Sequence, residues 1–287
     1  MKKLNIALMA AIITLATGCS KTSGIGGTAG DATPETLKVN AQFAKDLKLD
    51  DPQDFEDAKR GFMAKPAGKI LASDGTVLKD FDAYNFLEGK AADTVNPSLW
   101  RHAQLNANYG LFKVMDGVYQ LRGFDIANMT IIEGKTGWIL VDPLTAPETS
   151  SAALAFARQH LGNKPVSAVV LTHAHADHFG GVLGVVTPKE VAERKIPIVA
   201  PAGFMEEATS ENIMVGTAMA RRSLYQFGRD LPRNAKGNVD TGLGKDVAYG
   251  AIGIIAPTWL IYKPTQQTEL DGVNFVFHNV PGAECPA

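Results

Sequence analysis

Cysteine is nearly absent from this chain. Cys19 and Cys285 stand at opposite ends of the 287 residues in unlike contexts, which excludes a disulfide framework and leaves stability to a packed core. Neither charge is in excess: 28 basic side chains meet 30 acidic ones, for a net charge of −2. That balance excludes a nucleic-acid partner held by a basic surface. There is no internal repeat. Apolar runs long enough to span a bilayer are missing too. The most apolar late stretch, Val247 to Ile261, is broken by Gly250, Gly253 and Pro257, and is expected to be a buried loop and strand under the site. What the chain does have is 45% hydrophobic residues, enough for one large domain or two smaller ones.

The first residues form an address. Lys2 and Lys3 precede an apolar stretch from Leu4 to Ala16, and the small residues Ala16-Thr17-Gly18 precede Cys19. This is the grammar of a bacterial secretory signal, too short for a comfortable transmembrane span. Because a cysteine follows the small residues, the tract resembles a lipobox, in which Cys19 is diacylated and becomes the mature N-terminus. Ala16 stands where leucine is commoner. Residues 1–18 are therefore expected to be a lipoprotein-type signal peptide, and 19–34, rich in Gly, Ser, Thr and Ala, a flexible linker. The expected location is the periplasmic side of the bacterial envelope, with the lipid anchor as the sole membrane contact. Plain cleavage and secretion into the periplasm is the alternative.

Residues 35–64 place Leu37, Phe43, Leu47, Leu49, Phe55 and Phe62 among many charges, a half-exposed helical pattern. Asp74-Gly75 between short apolar runs predicts a hairpin over 70–81 with a type I′ turn. Asn96 and Pro97 predict a helix start, with the helix running to about Leu105. Strands are expected over Val114–Arg122 and Met129–Val141, the latter turning at 134–137. Thr145 and Glu148 have the spacing of a capping box for a helix through Leu161, closed by Gly162. The continuous apolar run from Val166 to Leu171 predicts a strand buried on both faces. Residues 35–110 form an N-terminal extension packed on the core, and 111–287 the main α/β domain.

That buried strand leads into Thr172-His173-Ala174-His175-Ala176-Asp177-His178-Phe179-Gly180-Gly181. Imidazole nitrogen and carboxylate oxygen suit zinc and similar ions, and residues two apart on an extended segment point the same way. His173 and His175 can thus share one ion. Asp177 and His178 follow as the backbone turns into the next helix and can face a second, so that two ions on one loop are geometrically natural. Asp142, before Pro143 at the end of an earlier strand, is either a turn-forming aspartate or a carboxylate beside the site.

His-Ala-His-Ala-Asp-His after a hydrophobic strand resembles the signature of the metallo-β-lactamase superfamily. The resemblance implies an αββα sandwich with two mixed sheets, and Asp142 matches the acidic residue at the end of an early strand, expected beside the metal ligands rather than on the metal. Asn96-Pro97-Ser98-Leu99-Trp100-Arg101, Gly123-Phe124-Asp125-Ile126-Ala127-Asn128-Met129, Ala220-Arg221-Arg222 through Gly228, Leu231-Pro232-Arg233 and Gly242-Leu243-Gly244-Lys245 together resemble the bacterial alkyl sulfatases that hydrolyse dodecyl sulfate. That family implies two Zn2+ ions, an amphiphilic alkyl sulfate substrate cleaved to alcohol and sulfate by a metal-activated water, and a homodimer for the full-length enzyme. No catalytic side chain is assigned beyond that water. Its glutamate ligand matches Glu284 in Pro281-Gly282-Ala283-Glu284-Cys285-Pro286, after an alternating strand over 273–280. Cys285 departs from the small aliphatic residue usual there, and His278 is expected to be packing or surface. By carry-over, His173, His175 and Glu284 complete the first zinc site, whereas Asp177 and His178 hold the second with too few partners. Family members run on for several hundred residues. The sandwich is therefore expected to be incomplete at its C-terminus and the chain a truncated form with little activity alone. Another hydrolase of the same fold (a lactonase, thioesterase or β-lactamase) and a non-catalytic metal-binding lipoprotein remnant are the alternatives.

Overall fold

The computed structural model describes residues 30–280 and Ala283. The expected signal peptide, Cys19, most of the linker, Glu284 and Cys285 lie outside the described residues. No helix among those described is long and apolar enough to cross a membrane.

Capping chemistry starts the fold. Thr33 accepts from the Thr36 amide and Pro34 opens α1 (Pro34–Asp46), followed by α2 (Gln53–Lys59); neither helix buries a residue fully. The helical pattern ends earlier than expected, because Phe62 already belongs to β1 (Phe62–Ala64), at the edge of the main sheet. A hairpin of β2 (Lys69–Leu71) and β3 (Val77–Asp80) follows, but its turn is not type I′. Only Gly75 takes a positive φ, of 86°, while the Asp74 carboxylate accepts from the Thr76 amide at 2.9 Å and the Gly75 amide donates to the Ala72 carbonyl at 3.0 Å. A type I′ turn needs positive φ at both central residues, and here Asp74 caps the loop instead. Helix α3 (Pro97–Leu105) begins as expected, with Asn96 Oδ1 accepting from the Ser98 amide at 2.8 Å, and it buries Trp100 and Ala103.

The strand expected over 114–122 is two strands. Its first half starts earlier, as β4 (Gly110–Met115), and Asp116-Gly117 turns it into β5 (Val118–Arg122). Then come β6 (Met129–Glu133), β7 (Trp138–Val141), α4 (Pro147–Leu161), β8 (Val166–Val170), α5 (Ala176–Phe179), α6 (Pro188–Arg194), β9 (Ile198–Pro201), α7 (Phe204–Thr209), α8 (Gly216–Gln226), β10 (Trp259–Ile261), β11 (Thr265–Leu270) and β12 (Val273–His278). The main sheet has the order β1-β4-β5-β6-β7-β8-β9-β10, antiparallel up to β7 and parallel from β7 to β10.

Alternation along these strands makes two cores. Trp138, Leu140 and Val169 face α4 and α5, joining Leu154, Ala157 and Phe179. Ile139, Ala168, Val170, Val199 and Ile261 face the other way, against Leu270, Val273, Phe275 and Phe277. Each fully buried apolar side chain of this size contributes about 1.5–3 kcal/mol. The second sheet of the expected sandwich is present, among the described residues, as the antiparallel pair β11–β12 rather than as a mixed sheet. The stretch from 247 to 261 is also less buried than expected. Ala248, Gly253 and Ile255 are buried, but Ile252 and Ile254 are exposed, because the segment lies across the surface with its Gly253 amide donating to the Gly180 carbonyl at 2.6 Å.

No capping box forms at α4. Ala146 is its N-cap, without a side-chain cap. The Thr145 and Thr149 hydroxyls donate instead to the fully buried Asp125 carboxylate, both at 2.9 Å, and the Thr145, Ile126 and Ala248 amides donate to the same group. A buried carboxylate gains more from these donors than the helix end gains from one hydroxyl. Burial still raises the Asp125 pKa, against the pull of its hydrogen bonds.

Two lysines are buried nearby. Burial pushes the Lys79 ammonium down to about 8, partly offset by the Asp125 charge, and pushes Lys245 down to about 8, partly offset by Asp240. A base with a depressed folded pKa favours unfolding when it is charged, so its penalty is full below pH 8 and fades as pH rises toward the unfolded value of about 10.4. In chloride buffer, Lys79→Met is therefore expected to be more stable than wild type at pH 7, with the gap closing by pH 10. A gap in urea midpoints that stays constant with pH would contradict this.

Candidate metal centre

Parallel pairing sets the position of the cluster. β8 lies between β7 and β9, so β7 and β8 end at the same edge, where α/β sheets gather functional groups. The Asp142 amide donates to the Val170 carbonyl at 3.0 Å, carrying the ladder to that edge. Beyond Leu171 the chain stays extended: Ala174 points into the core with no exposure, which turns His173 and His175 outward together. His175 is the N-cap of α5, and Asp177 and His178 occupy its only turn.

Asp142 organises the cluster. Its carboxylate accepts from the Thr172 amide at 2.9 Å, the Thr172 hydroxyl at 2.7 Å and His178 Nδ1 at 2.9 Å. The Thr172 hydroxyl, having given its proton to Asp142, accepts from His173 Nδ1 at 2.9 Å. Both imidazoles are thereby oriented with Nε2 turned away from Asp142, the way ligating histidines are held by an outer carboxylate. His173 Nε2 lies 3.1 Å from His175 Nδ1, and His178 Nε2 lies 3.2 Å from Asp177 Oδ2. Two ligands bonded to one tetrahedral zinc at about 2.0–2.1 Å stand about 3.3 Å apart. Each pair therefore fits one ion. Among the described residues, no three His, Cys, Asp or Glu side chains converge on one point, so each pair is an open half-shell.

Electrostatics agree with the donor chemistry. Burial, helped by the neighbouring His178 and His175, holds His173 below the usual imidazole value, which keeps it neutral. Burial opposes charge on His178, but hydrogen bonds from its ring to Asp142 and Asp177 outweigh it and carry the pKa to about 10. Burial likewise works against ionised Asp177, yet its bond to His178 leaves that carboxyl below the usual range. The metal-free cluster thus holds a proton that an incoming cation displaces.

The approach of the surrounding backbone is close. A Cβ at Gly181 would run into the Pro143 and Ala146 carbonyl oxygens, and one at Gly180 into the Thr145 carbonyl. Gly181→Ala is expected to cost about 2–4 kcal/mol and to weaken zinc binding, since overpacking here pushes α5 off α4. Calorimetric melting and zinc titration would check it, and unchanged zinc affinity with a lowered melting point would confine the effect to packing. Asp142 and Leu144 take φ of 56° and 65°, a left-handed conformation that non-glycine residues seldom adopt. Asp142 thus sits in a left-handed turn, and its carboxylate is directed at the histidine cluster.

The structure brings together His173, His175, Asp177, His178 and Asp142. Glu284 lies outside the described residues, and His278 is exposed on β12 with Nδ1 3.1 Å from the Thr265 hydroxyl. Two members were not singled out from the sequence. Thr172 links Asp142 to His173, and its place immediately before the first histidine was the available signal. Glu211 Oε1 stands 3.7 Å from His175 Nε2, delivered by a π-helical turn over Ser210–Met214 that has no sequence signature.

The metallo-beta-lactamase superfamily profile matches residues 122–258. Over 261 residues the chain is 48% identical to an alkyl/aryl-sulfatase of Saccharomyces cerevisiae, covering 90% of this chain and 40% of that protein. It is 46% identical over 263 residues to a linear primary-alkylsulfatase of a Pseudomonas species, covering 91% of this chain and 39% of that one. The solved structure of a stereoselective inverting sec-alkylsulfatase, also from Pseudomonas, superposes with a TM-score of 0.85 at 49% identity, over 90% of this chain and 41% of that chain. The chain spans about 40% of the length of the relatives it matches. The fold, the histidine cluster and these relatives agree: over about 90% of its length the chain is similar to alkylsulfatases, and residues 122–258 match the metallo-beta-lactamase superfamily.

Proposed function

We propose that this chain carries the metal-binding part of a zinc-dependent hydrolase of alkyl sulfate esters, linear ones such as dodecyl sulfate included. The observation that carries the reading is the pair of half-shells oriented by Asp142, in a chain 46–49% identical to alkylsulfatases. His173 Nε2 and His175 Nδ1 would hold one zinc, and His178 Nε2 and Asp177 Oδ2 a second, with Glu284 offered to the first by family resemblance. When bound, zinc supplies a Lewis acid that polarises oxygen and lowers the pKa of water. The chain's own residues orient and surround. Asp142 fixes the His178 ring, Thr172 fixes His173, and exposed Leu183, Ile213, Met214, Ile252 and Ile254 lie in the segments that border the cluster, an apolar rim suited to an alkyl chain. A lipid anchor at Cys19, a periplasmic location and dimerisation of the longer enzyme belong to the same proposal, and the mass of the mature N-terminal peptide would test the anchor.

One relative is described as inverting. Inversion at the carbinol carbon breaks the C–O bond, and we carry that to this chain. Hydrolysis of dodecyl sulfate and of a secondary alkyl sulfate in oxygen-18 water, by the zinc-loaded polypeptide in its natural length, should place label in the alcohol. Label in sulfate overturns the carbon attack, and turnover of lactones or thioesters with none of alkyl sulfates overturns the substrate class in favour of another hydrolase of this fold. Little turnover is expected of these 287 residues, since His178 and Asp177 alone leave the second ion under-coordinated.

A further inference from the structure

A second cluster of charge lines a cavity of about 180 Å³ between the end of β3, residues 84–88, residues 107–109 and Lys245. None of the residues lining it belongs to the histidine cluster. Three ammonium groups border it. Lys65 Nζ lies 4.6 Å over the Tyr109 ring. Lys245 Nζ lies 5.3 Å over the Tyr84 ring but is committed, donating to the Ala103 carbonyl and pairing with Asp240 at 3.3 Å. Lys79 is 6% exposed, and its buried Nζ has no hydrogen-bond partner among the described residues.

A buried ammonium without an acceptor is costly enough that structures rarely leave one so. The carboxylates nearby are taken. Asp125 already accepts from two hydroxyls and three amides, and Asp80 is held by Lys69 at 3.1 Å and by the Asp82 amide at 3.0 Å. Glu88, which is exposed, is the remaining acid in a wall that also holds three lysines. The space exceeds one water several times over, since a water occupies about 30 Å³. We propose that this cavity binds a small tetrahedral oxyanion, sulfate or phosphate, with Lys79 as its buried donor. Burial holds the Lys79 pKa down at about 8, a penalty that the Asp125 and Asp240 charges only partly offset.

The test is calorimetric titration of sodium sulfate, and separately sodium phosphate, into the full chain at constant ionic strength in chloride, with and without chelator. Saturable binding is expected. Lys79→Met should weaken it by about tenfold or more, as loss of a hydrogen bond to a charged group implies, and Lys79→Arg should largely retain it. Equal affinity of wild type and Lys79→Met overturns the proposal, and so does binding that vanishes with chelator, which would assign the ion to the histidine cluster. A variant-free measurement stands beside these. Sulfate should slow acetylation of Lys79 by acetic anhydride several-fold, followed by peptide mass spectrometry, while leaving the exposed Lys189 unaffected. Equal protection of both lysines, or none, overturns it as well.

Discussion

Asp125→Ala should lower unfolding free energy by about 3–5 kcal/mol, the range for breaking a buried, fully hydrogen-bonded charge. The carboxylate accepts from Thr145 and Thr149 and from the amides of Ile126, Thr145 and Ala248, none of which reaches water. Alanine strands the three amides and the Thr145 hydroxyl at once, and leaves the Thr149 hydroxyl only the Ala146 carbonyl at 3.0 Å. It also removes the negative charge that partly supports buried Lys79. The site ties three parts of the chain together: the segment after β5, the start of α4 and the loop at 248. Asp125→Asn keeps one acceptor oxygen and should cost less, about 1–3 kcal/mol. Urea denaturation of the metal-free protein measures both. A loss under about 1 kcal/mol for the alanine variant would mean that local collapse or water replaces the carboxylate.

Zinc binding should divide the cluster in two. Wild type is expected to take up about two equivalents, as a paired site does. His173→Ala should lose about one of them and Asp177→Ala about the other, with the double variant taking up none, since each change removes a donor from one of the two ions. Asp142→Asn, which touches neither ion, should weaken affinity by about 10–100-fold through the orientation of His178 and Thr172. Equilibrium dialysis with elemental analysis reads all five proteins. Equal stoichiometry in both single variants and the wild type would show that these pairs are not the ligands.

The parts of this arrangement that were legible in the sequence are those built locally. The buried strand 166–170, the outward pair His173 and His175, the Asn96–Pro97 helix start and the Gly162 stop all depend on neighbours within a few residues. The misreadings come from distant partners in one case and from local competition in the other. Thr145 and Glu148 have capping-box spacing, yet Thr145 turns to Asp125, twenty residues earlier, whose surroundings include an amide 123 residues later. Asp74-Gly75 has the composition of a type I′ turn, but the carboxylate finds the Thr76 amide first. Glu211 reaches His175 only because a helix widens by one residue at 210–214. Asp142 reads in the sequence as either a turn residue or a carboxylate beside the site, and one backbone conformation both turns the chain and directs the carboxylate at His178.

That conformation bears on how the protein would drift. A left-handed φ at a non-glycine residue costs about 1–2 kcal/mol, and here Asp142 and Leu144 both adopt one, on either side of Pro143. Glycine at 142 would relax the backbone and delete the carboxylate that holds Thr172 and His178. The nearest route to a sturdier fold at this point therefore leads away from the metal centre. A lineage freed from selection for metal binding should accumulate glycine at position 142 early, while the surrounding strands stay unchanged.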